Sequence, residues 1–355
     1  MAGNPALGVV FHWIGGFSSA SFYVPYKRIR RWNWEVFWLA GGLFSWLIAP
    51  WTFAALRTHD LIGVLSAAPA DTLLWCWFWG AMWGFGGLTF GLTMRYLGLS
   101  LGMAVALGLT TVIGTLGPPV FHGTLGTIVA TGAGRLTMLG IAITLIGIIV
   151  VARGGAAKSR EVPSSDSVAE FDLRKGLAIA TFSGVMSGCF AWGLDAGQPI
   201  RDLTLAAGTD PLAQGLPVLC VVLAGGLTTN ALWCAWLIAR NRSFAQFFHV
   251  PADRGDVPPA SLGANWLLAA LGGTLWYGQF FFYTMGESQM GRFGFSSWTL
   301  HMASIILFST LWGFALNEWL GTSRRTRTLV WGGIALLVGA TVVIGGGNML
   351  NAAGH

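Results

Sequence analysis

Charge is scarce in this chain. Of its 355 residues only 10% are Asp, Glu, Lys or Arg, against 54% hydrophobic, so no stretch is polar enough to clothe a water-soluble domain. The four cysteines, Cys76, Cys189, Cys220 and Cys234, form no CxxC pair, which argues against a zinc site or a disulfide framework. Each falls inside an apolar run and reads as a packing residue. Catalytic constellations are missing as well: there is no HExxH, no Asp pair at metal spacing, and no Ser with a His or Lys base at a recognised spacing. That argues against an enzyme, such as an intramembrane protease or a lipid-linked sugar transferase. A sensor would need a cytoplasmic output domain, and no sequence is left over for one. The net charge of +6 is not a nucleic-acid footprint, because the Lys and Arg do not cluster on one domain.

What the chain has instead is long apolar runs. A hydrocarbon core of about 30 Å takes about 20 residues per helix, and spans are expected at 5–26, 35–56, 71–94, 98–120, 135–153, 174–197, 212–239, 262–285, 294–319 and 328–347. Fifty-one glycines suit close helix packing in lipid. Of the 20 Lys and Arg, 16 lie in or beside the loops after the odd-numbered spans; Arg57, Arg135, Arg201 and Arg292 are the exceptions. By the positive-inside rule those loops face the cytoplasm and both termini face outward. The first span has no basic residue before it and contains His12, so it reads as a permanent helix and not a cleaved signal peptide.

A polar stretch at 154–173, rich in Gly, Ala, Ser and charge, reads as a cytoplasmic linker between halves at 1–153 and 174–355. Five spans on either side force the second half into the membrane upside down, as in many secondary transporters. Traces of duplication agree. At an offset of 168, Gly8, Gly16, Ser19 and Phe22 meet Gly176, Gly184, Ser187 and Phe190. At an offset of 193, Gly80 and Trp83 meet Gly273 and Trp276, and Gly140-Ile141-Ala142 meets Gly333-Ile334-Ala335. The expected architecture is therefore an all-α polytopic membrane protein of ten helices in two inverted five-helix repeats. Its substrate cavity would lie at the repeat interface near the midplane.

Ionisable groups within spans are costly unless paired or facing water, so each is a candidate for function. His12, Asp195 and His301 fall in the outer halves of spans one, six and nine. A histidine or a desolvated carboxylate could take a proton outside and release it inside. His12 and His301 are equally suited to a hydrogen bond with a neighbouring helix, and Asp195 is close enough to Pro199 to reach interfacial water. Trp276, Gln279 and Tyr283 share one face of span eight. They supply the aromatic surface and the forked amide that sugar sites combine. Glu35, Arg95 and Glu318 border basic loops and read as rim anchors or gate latches, pairing with Lys27, Arg28 or Arg324-Arg325. With no cationic cluster inside the spans, the cargo should be small, neutral and polyhydroxylated.

Several strings are specific: Phe22-Tyr23-Val24-Pro25-Tyr26-Lys27, Trp32-Asn33-Trp34-Glu35, Gly80-Ala81-Met82-Trp83-Gly84, Gly91-Leu92-Thr93-Met94-Arg95-Tyr96-Leu97-Gly98, Gln279-Phe280-Phe281-Phe282-Tyr283, and Leu300-His301-Met302. Together they resemble the bacterial L-rhamnose/proton symporters of the drug/metabolite transporter superfamily, over essentially the whole chain. The resemblance implies import of L-rhamnose or a related 6-deoxy sugar across the bacterial inner membrane, driven by protons, with no cofactor. It also draws in His12, Trp83, Arg95, Gln279, Tyr283 and His301. The chain departs from the family pattern at Phe85 to Phe90, where Asn and Tyr are expected, and at Asp195 and Gln198, where Asn and Lys are. Binding is then assigned to Trp276, Gln279, Tyr283, Trp83 and His12, and proton coupling to His301 and Asp195. The alternative reading is an exporter of amino acids or other small metabolites on the same fold.

Overall fold

The computed structural model describes residues 3–162, 172–250 and 261–353, and among them every regular element is helical. The chain opens with α1 (Pro5–Ser21), capped by the Asn4 side chain, which accepts from the Leu7 amide, and primed by Pro5 in its first turn. A short α2 (Tyr23–Tyr26) continues it. Next come α3 (Trp34–Leu43) and α4 (Ala49–Arg57), joined without a break by a π-helical segment, Phe44–Ile48. The cause is Pro50: it has no amide to donate, and its ring crowds the carbonyl one turn back, so the ladder widens just before it.

After α5 (Leu61–Ala67), helical backbone runs without interruption through α6 (Ala70–Phe121). A straight helix of 52 residues would be about 78 Å long at 1.5 Å per residue. The contacts show that α6 folds back on itself. Ser183 donates to the Gly86 carbonyl from one half, and Thr110 of the other half donates to the Gly184 carbonyl. Both halves thus flank a single helix, α9 (Leu173–Ala196), which has only 24 residues. Between them stand α7 (Leu125–Ala130) and α8 (Gly132–Glu161).

The second half continues with α10 (Gln198–Ala206), set off from α9 by Gly197 and Pro199, then α11 (Leu216–Asn241), α12 (Leu262–Ser288), α13 (Ser297–Ala315) and α14 (Arg324–Ala353). Among the described residues eight helical segments are long and apolar enough to cross a membrane, and nine if α5 with the first part of α6 is one bent span. That is fewer than the ten expected. The shortfall is α12: it has 27 residues but is diluted by glycines, Trp, Tyr, Asn265 and Gln279, so it falls outside the set. The expected linker also begins later than 154, because α8 continues to Glu161. Glu161 accepts from the Ser323 backbone amide and from the Ser323 and Thr326 hydroxyls, and Lys158 lies over the Trp319 ring. These contacts hold the extra turns in place. The rest of the expected linker, 163–171, lies outside the described residues.

In the bundle α1 packs against α12 and α13, α9 against both halves of α6, α8 along α14, and α11 against α6 and α3. At the α6–α11 crossing the helices approach closely. A Cβ on Gly80 would run into the Val222 carbonyl, and one on Gly225 into the Trp77 carbonyl, so the two backbones touch reciprocally. Around this crossing lies the largest buried cluster, with Trp46, Phe190, Leu219, Leu223 and Tyr277 almost fully enclosed. Cys76, Cys189, Cys220 and Cys234 are all buried free thiols. Gly80→Val is expected to separate α6 from α11 at a cost of about 1–3 kcal/mol, read as a lower thermal midpoint in detergent. Gly87→Ala, where a Cβ meets open space, should leave the midpoint unchanged.

Candidate functional site

Three helices bring four polar or aromatic rings together. Gln279 and Tyr283 stand one turn apart on α12, Trp298 and His301 one turn apart on α13, and His12 faces them from α1, all buried. His12 can sit there because Gly286 opposite has no side chain; a Cβ on it would touch the imidazole. The ring centres of His12 and His301 are 6.4 Å apart, and Tyr283 lies 5.3 Å from each. Trp298 packs 5.8 Å from Tyr283 while donating its indole N–H to the Thr110 carbonyl at 3.0 Å. That bond ties α13 to α6. His301 Nε2 lies 3.3 Å from Gln279 Oε1, whereas both nitrogens of His12 and Nδ1 of His301 are buried with no protein partner. A buried polar atom without a partner costs roughly 1–3 kcal/mol, and three of them converge here.

Towards the predicted cytoplasmic side an aromatic stack closes the site. Phe280 lies 4.3 Å from Phe190, Trp83 packs edge-on against both, and Trp46 bridges Trp83 to Trp276. Trp276 itself is sandwiched by Phe22, Trp38 and Trp46. The structure therefore brings His12, Gln279, Tyr283 and His301 together and sets Trp276 and Trp83 apart, in the layer beneath them. Trp38 and Trp46 are core residues; Trp38 donates to Asn230 Oδ1 at 3.0 Å.

On the opposite side, Tyr283 lines the floor of a cavity of about 500 Å³ that opens at the end of the bundle carrying the N-terminus. This is within the usual range for small-molecule sites, about 300–1,000 Å³. Its wall is polar. Asp195, for which the sequence offered either a desolvated carboxylate or one reaching interfacial water, is half-buried at the mouth and pairs with His122 at 2.8 Å. The reason is local: α9 ends one residue later, at Ala196, where Gly197 and Pro199 break the helix. Deeper in the wall is an ion pair that sequence reasoning missed, Arg201 Nη2 to Glu287 Oε2 at 2.7 Å, with side chains only 12% and 17% exposed. One signal was available, since Arg201 is among the four basic residues that break the positive-inside pattern. Glu287 lies one turn beyond Tyr283 on the same face of α12.

The three expected rim residues occupy the other end of the bundle. Glu318 meets Lys27 at 2.8 Å and Lys158 at 3.8 Å. Glu35 is buried and accepts hydrogen bonds from Asn33, Asn241 and Ser243. Arg95 is exposed beside Tyr96, whose ring and hydroxyl are covered by Lys175. The hydrogen bond from Lys27 holds the Glu318 carboxyl below the usual carboxylate range. A depressed folded-state value means that the pair contributes stability above the ordinary carboxylate range and loses it as the pH falls through the lowered value. Glu318→Gln should thus melt lower than the unaltered chain near pH 7, and the gap should close on acidification. A thermal-shift series across pH checks this.

Comparison with known proteins finds relatives along nearly the whole chain. The family model for the L-rhamnose-proton symport protein matches residues 1–350. The L-rhamnose-proton symporter of Cronobacter sakazakii is 37% identical over 352 residues, covering 99% of this chain and 100% of the relative. That of Shigella sonnei is 37% identical over 346 residues, 97% and 98% of the two chains. The symporter of Salmonella paratyphi B is 37% identical over 345 residues, with the same coverage.

Proposed function

The chain belongs to the L-rhamnose-proton symport protein family, and from that premise we propose that it imports L-rhamnose, or a closely related 6-deoxy sugar, together with a proton across the bacterial inner membrane. It is a transporter and not an enzyme, and it needs no cofactor beyond the coupling proton. The observation that carries the reading is the polar cavity that ends on Tyr283, behind which His12, Gln279 and His301 are buried above an aromatic layer. These side chains offer hydrogen-bond donors, acceptors and ring faces. They suit a neutral ring bearing hydroxyls on its edge and C–H groups on its faces.

In this reading α12 is a span as well and brings the number to ten, functional polarity having cost it apolar character, and the chain forms two inverted five-helix repeats of the drug/metabolite transporter type with both termini outside. The packing supports it. Number the spans in order, with the halves of α6 as three and four and α12 as eight. Exchanging each span with its equivalent five places on then maps the main contacts onto one another. The pairing of α1 with α12 and α13 becomes that of α9 with the two halves of α6, and the pairs α3–α11 and α8–α14 map onto themselves. The rim pairs correspond too. Asp195 lies 168 residues after Lys27, the offset that relates spans one and six, while His122 and Glu318 each follow the last turn of spans four and nine.

Lys27–Glu318 would then latch the cytoplasmic gate and His122–Asp195 the outer one. Sugar enters from the outer cavity and docks against Tyr283, His12 and the Gln279–His301 pair. The outer latch closes over it, and rocking of the repeats opens the inner side. Asp195, at the mouth, meets periplasmic protons first. His301, deep in the site, senses them through its contact with the sugar and Gln279. Opening towards the cytoplasm requires the loaded form to favour the inward state, so the proton and the sugar must each bind the two faces unequally.

The direct test is proton movement. Adding L-rhamnose to proteoliposomes without an imposed gradient should make the outside alkaline, and L-fucose, L-mannose and L-lyxose grade the specificity. Tracer uptake without a proton signal would contradict symport. Within the site, Gln279→Leu and His301→Ala should each weaken rhamnose binding by about 10- to 100-fold, the equivalent of one or two buried hydrogen bonds. Trp51→Phe, at a partly exposed position away from the cavity, should leave binding unchanged.

A further inference from the structure

The assignment above leaves unused the most deeply buried ion pair of the outer cavity. Arg201 projects from α10, just after the break that ends α9, and meets Glu287 of α12, which lies one helical turn beyond Tyr283. Taking two charges out of water is costly, and a buried pair is weak support for stability because well-packed apolar side chains do as well. Intramembrane charges lining a water-filled cavity mark substrate and ion pathways. The pair is also incompletely satisfied. Only one Arg201–Glu287 bond forms, between Nη2 and Oε2, and Arg201 Nε is buried with no partner. Both side chains line the cavity that ends on Tyr283, the ring that His12 and His301 pack against.

We propose that Arg201 and Glu287 form the coupling switch of this transporter: sugar hydroxyls drawn onto Arg201 release the Glu287 carboxylate, which then binds the transported proton. The proposal rests on the symport reading above. A guanidinium offers five N–H donors in a fixed fork and stays charged throughout. When sugar oxygens accept from it, the carboxylate loses its counter-charge in a confined cavity, and a proton from the outer water adds to a carboxylate oxygen. No other bond is made or broken, and the loaded site gains one positive charge. On the cytoplasmic side the order reverses: sugar leaves, Arg201 returns to Glu287, and the proton is expelled. Sugar without proton leaves a bare carboxylate, and proton without sugar competes with the ion pair, so neither loads alone.

Other charged and titratable groups face this pair from each neighbouring element. Asp195 and His122 stand across the cavity on α9 and α6, and Arg292 follows α12. His12 touches Gly286 from α1, and His301 lies behind Tyr283 on α13. Asp195 is already paired with His122, which leaves Glu287 as the cavity carboxylate whose partner a sugar can take.

The test uses the full chain in proteoliposomes. Glu287→Gln should retain rhamnose counterflow but lose rhamnose-induced alkalinisation, and its uptake should no longer depend on pH. Arg201→Gln should lose counterflow at rhamnose concentrations that saturate the unaltered protein, and Glu287→Asp should restore the proton signal. If Glu287→Gln is not recovered as a monodisperse protein, the double variant Arg201→Gln, Glu287→Gln removes both charges together. It is expected to be monodisperse and to show neither counterflow nor alkalinisation. A proton signal in Glu287→Gln or in the double variant would overturn the switch. Absence of any proton signal in the unaltered protein would instead overturn the symport reading itself, so the two failures are distinguishable.

Discussion

Every polar group this chain carries into the bilayer must find its partner inside the bundle, because hydrocarbon offers none. Helices settle the account for the backbone. Many hydroxyls settle theirs by bonding the carbonyl one turn back, as Thr110 does to Ala106, Thr144 to Gly140 and Thr310 to Ile306. Longer polar side chains bridge helices: Trp38 reaches Asn230, Trp298 reaches the Thr110 carbonyl, and Thr115 meets Thr299. Some indole and phenol groups, such as those of Trp46 and Tyr277, are left without partners amid aromatic packing. The unpartnered atoms of His12, His301 and Arg201 differ in kind, because they border one cavity and its floor.

That constraint also explains why the site lies where α12 does. A helix that carries Asn265, Gln279, Tyr283 and Glu287 cannot face lipid along its length. It is held between α1 and α3, with α13 close by, in the middle of the bundle. Its Gly272, Gly273, Gly278 and Gly286 let those neighbours approach, and each would place a Cβ into a neighbouring helix. The same helix thus carries the aromatic floor, the amide and phenol of the site, and the carboxylate of the cavity wall. Access is divided by the ends of the bundle. Ion pairs tie α6 to α9 at one end and the turn after α1 to the turn after α13 at the other. Exposed pairs of this type add little stability, and they are inexpensive to break and remake.

Much of this was legible in the sequence, for identifiable reasons. Span positions followed from apolar length, which the bilayer imposes directly, and His12, Gln279, Tyr283 and His301 stood out because polar groups are rare inside such spans. The legibility failed where a residue's meaning depends on a helix end or on a partner far along the chain. The sequence left Asp195 open between a buried carboxylate and one that reaches interfacial water near Pro199; α9 ends beside it, and its partner His122 comes from a segment far along the chain. Trp276 shares a helix face with Gln279 and Tyr283, but seven residues of rise place it in the aromatic layer beneath them. Glu287 lay just past the expected end of its span, and its partner is 86 residues away.

By itself the sequence determined the class of the molecule, the rough course of its spans and the family to which it belongs, because membrane thickness and local motifs act on contiguous residues. Only the tertiary structure decided which polar groups meet. The His12–Tyr283–His301 cluster, the turn-back of α6 along α9 and the Arg201–Glu287 pair each join segments that no sequence period connects. They form because the packed bundle leaves each of these groups no other place out of lipid.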